Sequence, residues 1–181
     1  MHPIIPIIII IIIVTFIFFL ITPSKHQKGV ISALKEYLTT NNIEFELTES
    51  NNKLYNYNLK VNNKTYLLKL VNLPSHSEVQ INNFNTWEVK YGAGDTPGKP
   101  QPYKRYLNEL RPFLSYQTKD NEQRLIILTP KAKKIVKYIN ECEIVFVKSE
   151  TDVYGSKVIN EYDYKWIILE NQKQNEKVIN E

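Results

Sequence analysis

Thr86-Trp87-Glu88-Val89-Lys90-Tyr91 is the stretch on which the fold turns. Alternate residues of a β-strand share a face. In a strand, Glu88 and Lys90 point one way while Trp87, Val89 and Tyr91 point the other, which is the pattern of a half-buried strand. Just upstream, Glu78–Ile81 reads as a second short strand, joined to the first by the turn Asn82-Asn83-Phe84-Asn85. Just downstream, Gly92 to Pro102 is a loop of Gly, Pro, Asp and Lys, placed where functional loops concentrate. It does not form a phosphate-binding P-loop: Ala93 stands where that motif needs its first glycine, and Pro100 where it needs Ser or Thr.

Working outward, Lys28 to Thr40 predicts an amphipathic helix, with Val30, Leu34, Tyr37 and Leu38 at helical spacing and Asn41-Asn42 as its stop. Ile43–Thr48 alternates as a strand. Leu54–Val61 and Thr65–Leu73 predict two more strands around a turn at Asn62-Asn63-Lys64. On the far side, Tyr103 to Tyr116 predicts a helix bent or broken near Pro112, with Tyr103, Leu107, Leu110 and Leu114 inward. Arg124–Leu128 predicts a buried strand, Lys131–Asn140 a helix and Glu143–Val147 a strand. Thr151 to Asn160 reads as a loop or short edge element, and Tyr162–Leu169 as a late strand. The expected class is α/β: one mixed β-sheet flanked by helices, in the order helix, strands, helix, strand, helix, strand, with parallel crossovers in the later half.

Residues Ile4 to Thr22 carry no charge. At 1.5 Å per residue such a run spans about 28 Å as a helix, close to the thickness of a bilayer core. The division of the chain is then a transmembrane anchor at 1–24, a single α/β domain at 25–170 and a polar tail at 171–181. Lys25 and Lys28 follow the apolar run and no Lys or Arg precedes it, which predicts a cell-membrane protein with its C-terminal domain in the cytoplasm. The formal charge of +4 permits attraction to phosphate or anionic lipid without demanding it. One cysteine, Cys142, excludes an internal disulfide and reads as core. His26 and His76 stand apart, with no zinc spacing around them.

The chemistry-bearing residues gather about the opening hairpin. A carboxylate two residues from a lysine at a strand end suits metal-dependent phosphodiester cleavage: the carboxylate holds Mg²⁺ and the lysine orients water or offsets phosphorane charge. Glu78, on the neighbouring strand, offers a second carboxylate, and Glu36 on the first helix a third. The spacing Glu78…Glu88-Val89-Lys90, within helix-strands-helix-strand order, resembles the PD-(D/E)XK nuclease superfamily. The resemblance covers about Lys28 to Val147 and implies a restriction-endonuclease-like core with a split sheet. It also implies Mg²⁺ at Glu78 and Glu88, a catalytic role for Lys90 and a nucleic-acid substrate. A Glu-x-Lys triplet equally suits solvated charges on an exposed strand face.

The second function class is noncatalytic. Lys104, Asn108 and Arg111 recur at i, i+4 and i+7 of the helix expected there, with Lys99 and Arg105 beside them. This basic patch would bind a protein or an anionic partner, such as nucleic acid or lipid headgroups, at the cytoplasmic face. The two classes make different demands. The nuclease needs Glu78 and Glu88 to converge; the binding module expects Glu88 and Lys90 exposed and far from Glu78.

Overall fold

A computed structural model describes residues 26–92 and 103–170. The expected anchor at 4–22, the loop at 93–102 and the tail from 171 lie outside the described residues.

The fold is mixed α/β, with two mixed sheets and few helices. Helix α1 (residues 26–40) comes first. Strands β1 (Phe45–Glu49), β2 (Tyr57–Val61), β3 (Lys64–Asn72), β4 (Glu78–Asn83), β5 (Thr86–Tyr91) and β6 (Tyr103–Tyr106) follow. A 3-10 turn (Asn108–Leu110) then leads into the one-turn helix α2 (Arg111–Leu114). Strands β7 (Glu122–Thr129), β8 (Lys134–Tyr138), β9 (Ile144–Phe146) and β10 (Ser156–Asn160) come next, and α3 (165–170) last.

Strands β1-β2-β3-β7-β10 form the first sheet and β6-β5-β4-β8-β9 the second. Two matching crossings join them. After a short loop, β3 of the first sheet continues as β4 of the second, and β7 continues as β8; β3 runs parallel to β7, and β4 to β8. The carboxyl ends of β3 and β7 thus meet the starting ends of β4 and β8.

Alternation then fills the layers. Leu67, Val71, Ile126, Leu128 and Val158 face Val79, Ile81, Trp87, Val89 and Ile135 across the gap between the sheets. The other face of the first sheet, with Leu59, Tyr66, Leu68, Leu125, Ile127 and Ile159, is covered by α1 and α3. The order of layers is helices, first sheet, second sheet. Tyr164 joins α1 to the turn before α3: its hydroxyl donates to the Val30 carbonyl at 2.9 Å from a buried position.

Burial raises the Tyr164 phenol to about 12. A folded-state value above the unfolded one keeps the full contribution below about pH 10 and loses it as pH climbs toward the folded value. Alkaline unfolding is therefore expected to steepen above pH 10, and Tyr164→Phe to flatten that limb while lowering stability by about 1 kcal/mol at pH 7. Denaturant melts at pH 7 and pH 11 check both.

Several expectations are corrected. There are two sheets rather than one. Tyr103–Tyr106 is an edge strand on β5, so helix begins only after it, and Tyr103 is exposed while Leu107, Leu110 and Leu114 are buried. Pro112 falls in the first turn of α2, where its missing N–H costs nothing, so it opens the helix rather than breaking it. The helix expected at Lys131–Asn140 is strand β8: Lys-Ile-Val-Lys-Tyr fits either period, and the open edge of β4 takes it as a parallel partner. The late strand expected at Tyr162–Leu169 is a turn leading into α3. Cys142 is exposed at the β8–β9 turn, not core.

Candidate functional site

The β4–β5 hairpin fixes the site by its register. Glu78 pairs with Lys90, and Gln80 with Glu88. Directly paired residues share a face, so all four side chains project from the side of the second sheet turned away from the first. The packing of Trp87 and Val89 on the other side holds them there; both are fully buried between the sheets. Glu88 and Lys90 approach to 3.9 Å, with Glu88 nearly buried and Lys90 partly so. Glu78 and Glu88 are diagonal neighbours across the pair. Diagonal positions lie about 7–8 Å apart at Cα, within reach for long side chains.

The register continues across the sheet. On β6, Lys104 pairs with Lys90, and on β8, Lys134 pairs with Glu78. Lys104, Lys90, Glu78 and Lys134 thus form one row across four strands. At ~4.8 Å per strand it spans about 14 Å. The next row carries Tyr106, Glu88, Gln80, Val136 and Phe146. Tyr106 and Phe146 are exposed at its two ends, and the Lys134 amine lies 5.2 Å from the centre of the Phe146 ring.

The lysine row lies at the end of the second sheet where the crossings arrive from β3 and β7. Beside it, Glu78, Lys131, Lys133, Lys134, Phe146 and Asn160 line a cleft of about 430 Å³. Its floor is held by backbone ties. The Ala132 N–H donates to Asn160 Oδ1 at 2.8 Å, the Lys133 N–H to the Ser77 carbonyl at 2.8 Å, and the Lys131 N–H to Glu161 at 3.1 Å. This end of the sheet therefore gathers Lys90, Lys104, Lys131, Lys133 and Lys134 near the carboxylates of Glu78 and Glu88.

Compared with known proteins, the chain matches no family model, no curated protein and no solved structure.

The residues singled out from the sequence divide. Glu78, Glu88, Lys90 and Lys104 come together on one face, which corrects the expectation that a binding module would leave Glu88 and Lys90 exposed and far from Glu78: Glu88 is buried and lies diagonal to Glu78, because the hairpin register sets them side by side. Lys104 does so from a strand, so the helical row of Lys104, Asn108 and Arg111 does not exist. Arg105 turns the other way, donates to the Asn72 carbonyl at 3.0 Å and sits 3.9 Å from Glu109, joining the β6 edge of the second sheet to the end of β3 in the first. Arg111 opens α2, outside the row, and Lys99 lies outside the described residues. Glu36 is exposed on α1, which covers the far side of the first sheet, so it does not join Glu78.

Lys131, Lys133 and Lys134 are the residues missed. The run Pro130-Lys131-Ala132-Lys133-Lys134 is the available signal, but at the start of the helix expected at Lys131–Asn140 it marks no site. Among the described residues no three His, Cys, Asp or Glu side chains form a metal-holding group. Mg²⁺ uses only one or two carboxylates alongside waters and phosphates, so the pair Glu78 and Glu88, diagonal neighbours on one face, is the least such a site could use.

Proposed function

We propose that the chain is a single-pass membrane protein whose cytoplasmic domain binds an anionic partner noncatalytically at the lysine-rich end of the second sheet. The observation that carries this reading is the excess of lysine at this end, where Lys90, Lys104, Lys131, Lys133 and Lys134 stand with Glu78 and Glu88 beside an open cleft. Such a concentration of one sign attracts polyanions through counterion release, and the exposed rings of Tyr106 and Phe146 give their flat parts a surface. The anchor rests on the uncharged run from Ile4 to Thr22. Among the described residues no helix is long and apolar enough to cross a membrane.

The test is anisotropy of a labelled single-stranded oligonucleotide with the full chain in nanodiscs. Lys131→Ala/Lys134→Ala is expected to weaken binding about 30-fold, since each lysine against an anionic surface contributes on the order of 1 kcal/mol. The dependence of log affinity on log salt should flatten by about one to two. Unchanged affinity and slope would remove the lysine end as the site. Deleting residues 1–24 is expected to move the chain from the alkali-washed membrane fraction to the supernatant; retention on membranes would sink the anchor.

A second reading has its own observation. Glu78, Glu88 and Lys90 share one face, with Lys90 between the two carboxylates. This is the arrangement a Mg²⁺-dependent nuclease of PD-(D/E)XK type would need. Bound there, the metal would supply Lewis-acid activation of a phosphodiester. The chain's own groups would hold it through Glu78 and Glu88 and place the Lys90 ammonium beside the developing charge. Mg²⁺- or Mn²⁺-dependent cleavage of DNA or RNA, lost in Glu88→Ala/Lys90→Ala, establishes this reading. Tight binding without cleavage leaves the noncatalytic one.

A further inference from the structure

The second sheet ends on β9, and among the described residues nothing pairs with its outer edge. All three of its residues, Ile144, Val145 and Phe146, are apolar and exposed, at 43%, 38% and 58%. Native edge strands are usually blunted by charge, proline, a bulge or extreme shortness; β9 is short, at three residues, but carries no charge, proline or bulge. The backbone phase of the strand is fixed by its inner side. The Glu143 carbonyl accepts from Ile139 and the Val147 N–H donates to Ile135, so the odd-numbered residues bond to β8. The N–H and C=O groups of Ile144 and Phe146 therefore point to the open edge.

We propose that this edge is a homodimer interface, in which β9 of one copy pairs antiparallel with β9 of a second across a twofold axis at Val145. Only residues with outward backbone groups exchange hydrogen bonds across the new edge. In this register Ile144 of each copy bonds to Phe146 of the other, and the two Val145 residues form the close, non-bonded pair at the centre. Ile144 and Phe146 cover one another on the face that carries the lysine row. Lys148 of each copy arrives at the other's 141–143 turn, which carries the carboxylates of Glu141 and Glu143. The charges at the ends of the new ladder are thus complementary. The two second sheets become one continuous sheet, with a lysine end in each half.

The experiment is disulfide mapping of the full chain in nanodiscs and detergent, with its polypeptide mass from light scattering. At a central non-bonded pair the Cα atoms lie about 4.5 Å apart, within disulfide range. Cys142→Ser/Val145→Cys is expected to cross-link nearly completely under mild oxidation. The natural Cys142 of one copy lies about 20 Å from that of the other, by strand rise, and is expected not to cross-link. The uncross-linked chain should give twice its 21.3 kDa mass, and Ile144→Lys or Phe146→Lys should return it to a single copy with unchanged circular dichroism. A monomer at all concentrations overturns the proposal. So does a dimer in which Val145→Cys fails to cross-link, or one that persists in both lysine variants.

Discussion

Arg124→Ala is expected to destabilise the domain by roughly 3–5 kcal/mol, seen as a lower denaturant midpoint with an unchanged slope. Arg124 is buried in β7, at the opposite end of the inter-sheet layer from the lysine cluster. Its guanidinium donates to the Leu114 carbonyl, to the Tyr116 carbonyl at 3.1 Å and to the Tyr154 carbonyl at 2.9 Å. It thereby ties the end of α2 and the turn before β10 to the central strand. Burial lowers its pKa, and the field of Asp152 works in the opposite sense. An arginine remains charged under such conditions, so the fork keeps its full set of donors. Truncation strands three carbonyls that no longer have this donor. Arg124→Lys retains charge without the fork and should recover only part of the loss. Gly155 makes the arrangement possible: it holds φ +73°, and a Cβ there would stand 3.0 Å from the guanidinium. If Arg124→Ala costs less than about 1 kcal/mol, the three-carbonyl tie is not what holds this end together.

Trp87→Ala is expected to cost a further 3–5 kcal/mol class of destabilisation on its own, by opening a cavity between the sheets. Trp87 is 1% exposed and sits among Ile81, Val89, Leu107 and Leu110 in the inter-sheet core. Its indole N–H finds no acceptor among the described residues. Trp87→Phe removes that unpaired donor along with some volume, and the two changes oppose each other. Its cost should stay below about 1.5 kcal/mol. The neighbouring residue is Glu88, so the two variants also separate stability from function. Trp87→Phe should leave oligonucleotide binding intact, because the hairpin register that places Glu88 and Lys90 is kept. A phenylalanine variant as unstable as the alanine one would show that shape at this position, rather than buried apolar volume, is what the core needs.

Both positions illustrate what could be read in advance. The two faces of Thr86–Tyr91 follow from strand periodicity alone; the register that brings Glu78 opposite Lys90 does not, because it depends on the irregularity between Ile81 and Asn83. The helix expected from Lys28 to Thr40 is found at 26–40, because its apolar residues repeat at 3.6 over several turns and an asparagine pair, with Asn42 at φ +54°, ends it. Arg124 gave no such signal: one arginine opening an apolar run looks like a solvated strand end until three separate carbonyls converge on it. Lys131, Lys133 and Lys134 were legible as a basic run but not as part of the site.

The sequence by itself determined what is local: which residues form the hairpin, which side of it is polar, and which face of α1 is apolar. Only the tertiary structure decided that the apolar strands divide into two sheets, that Lys134–Tyr138 is a strand, and that its lysines stand beside Glu78 and Lys90. The reason is one of range. Side-chain alternation is fixed within a few residues, whereas a short apolar run between lysines satisfies helix and strand alike. What settles it is an open edge on β4, more than fifty residues away in the chain, whose backbone groups need a partner.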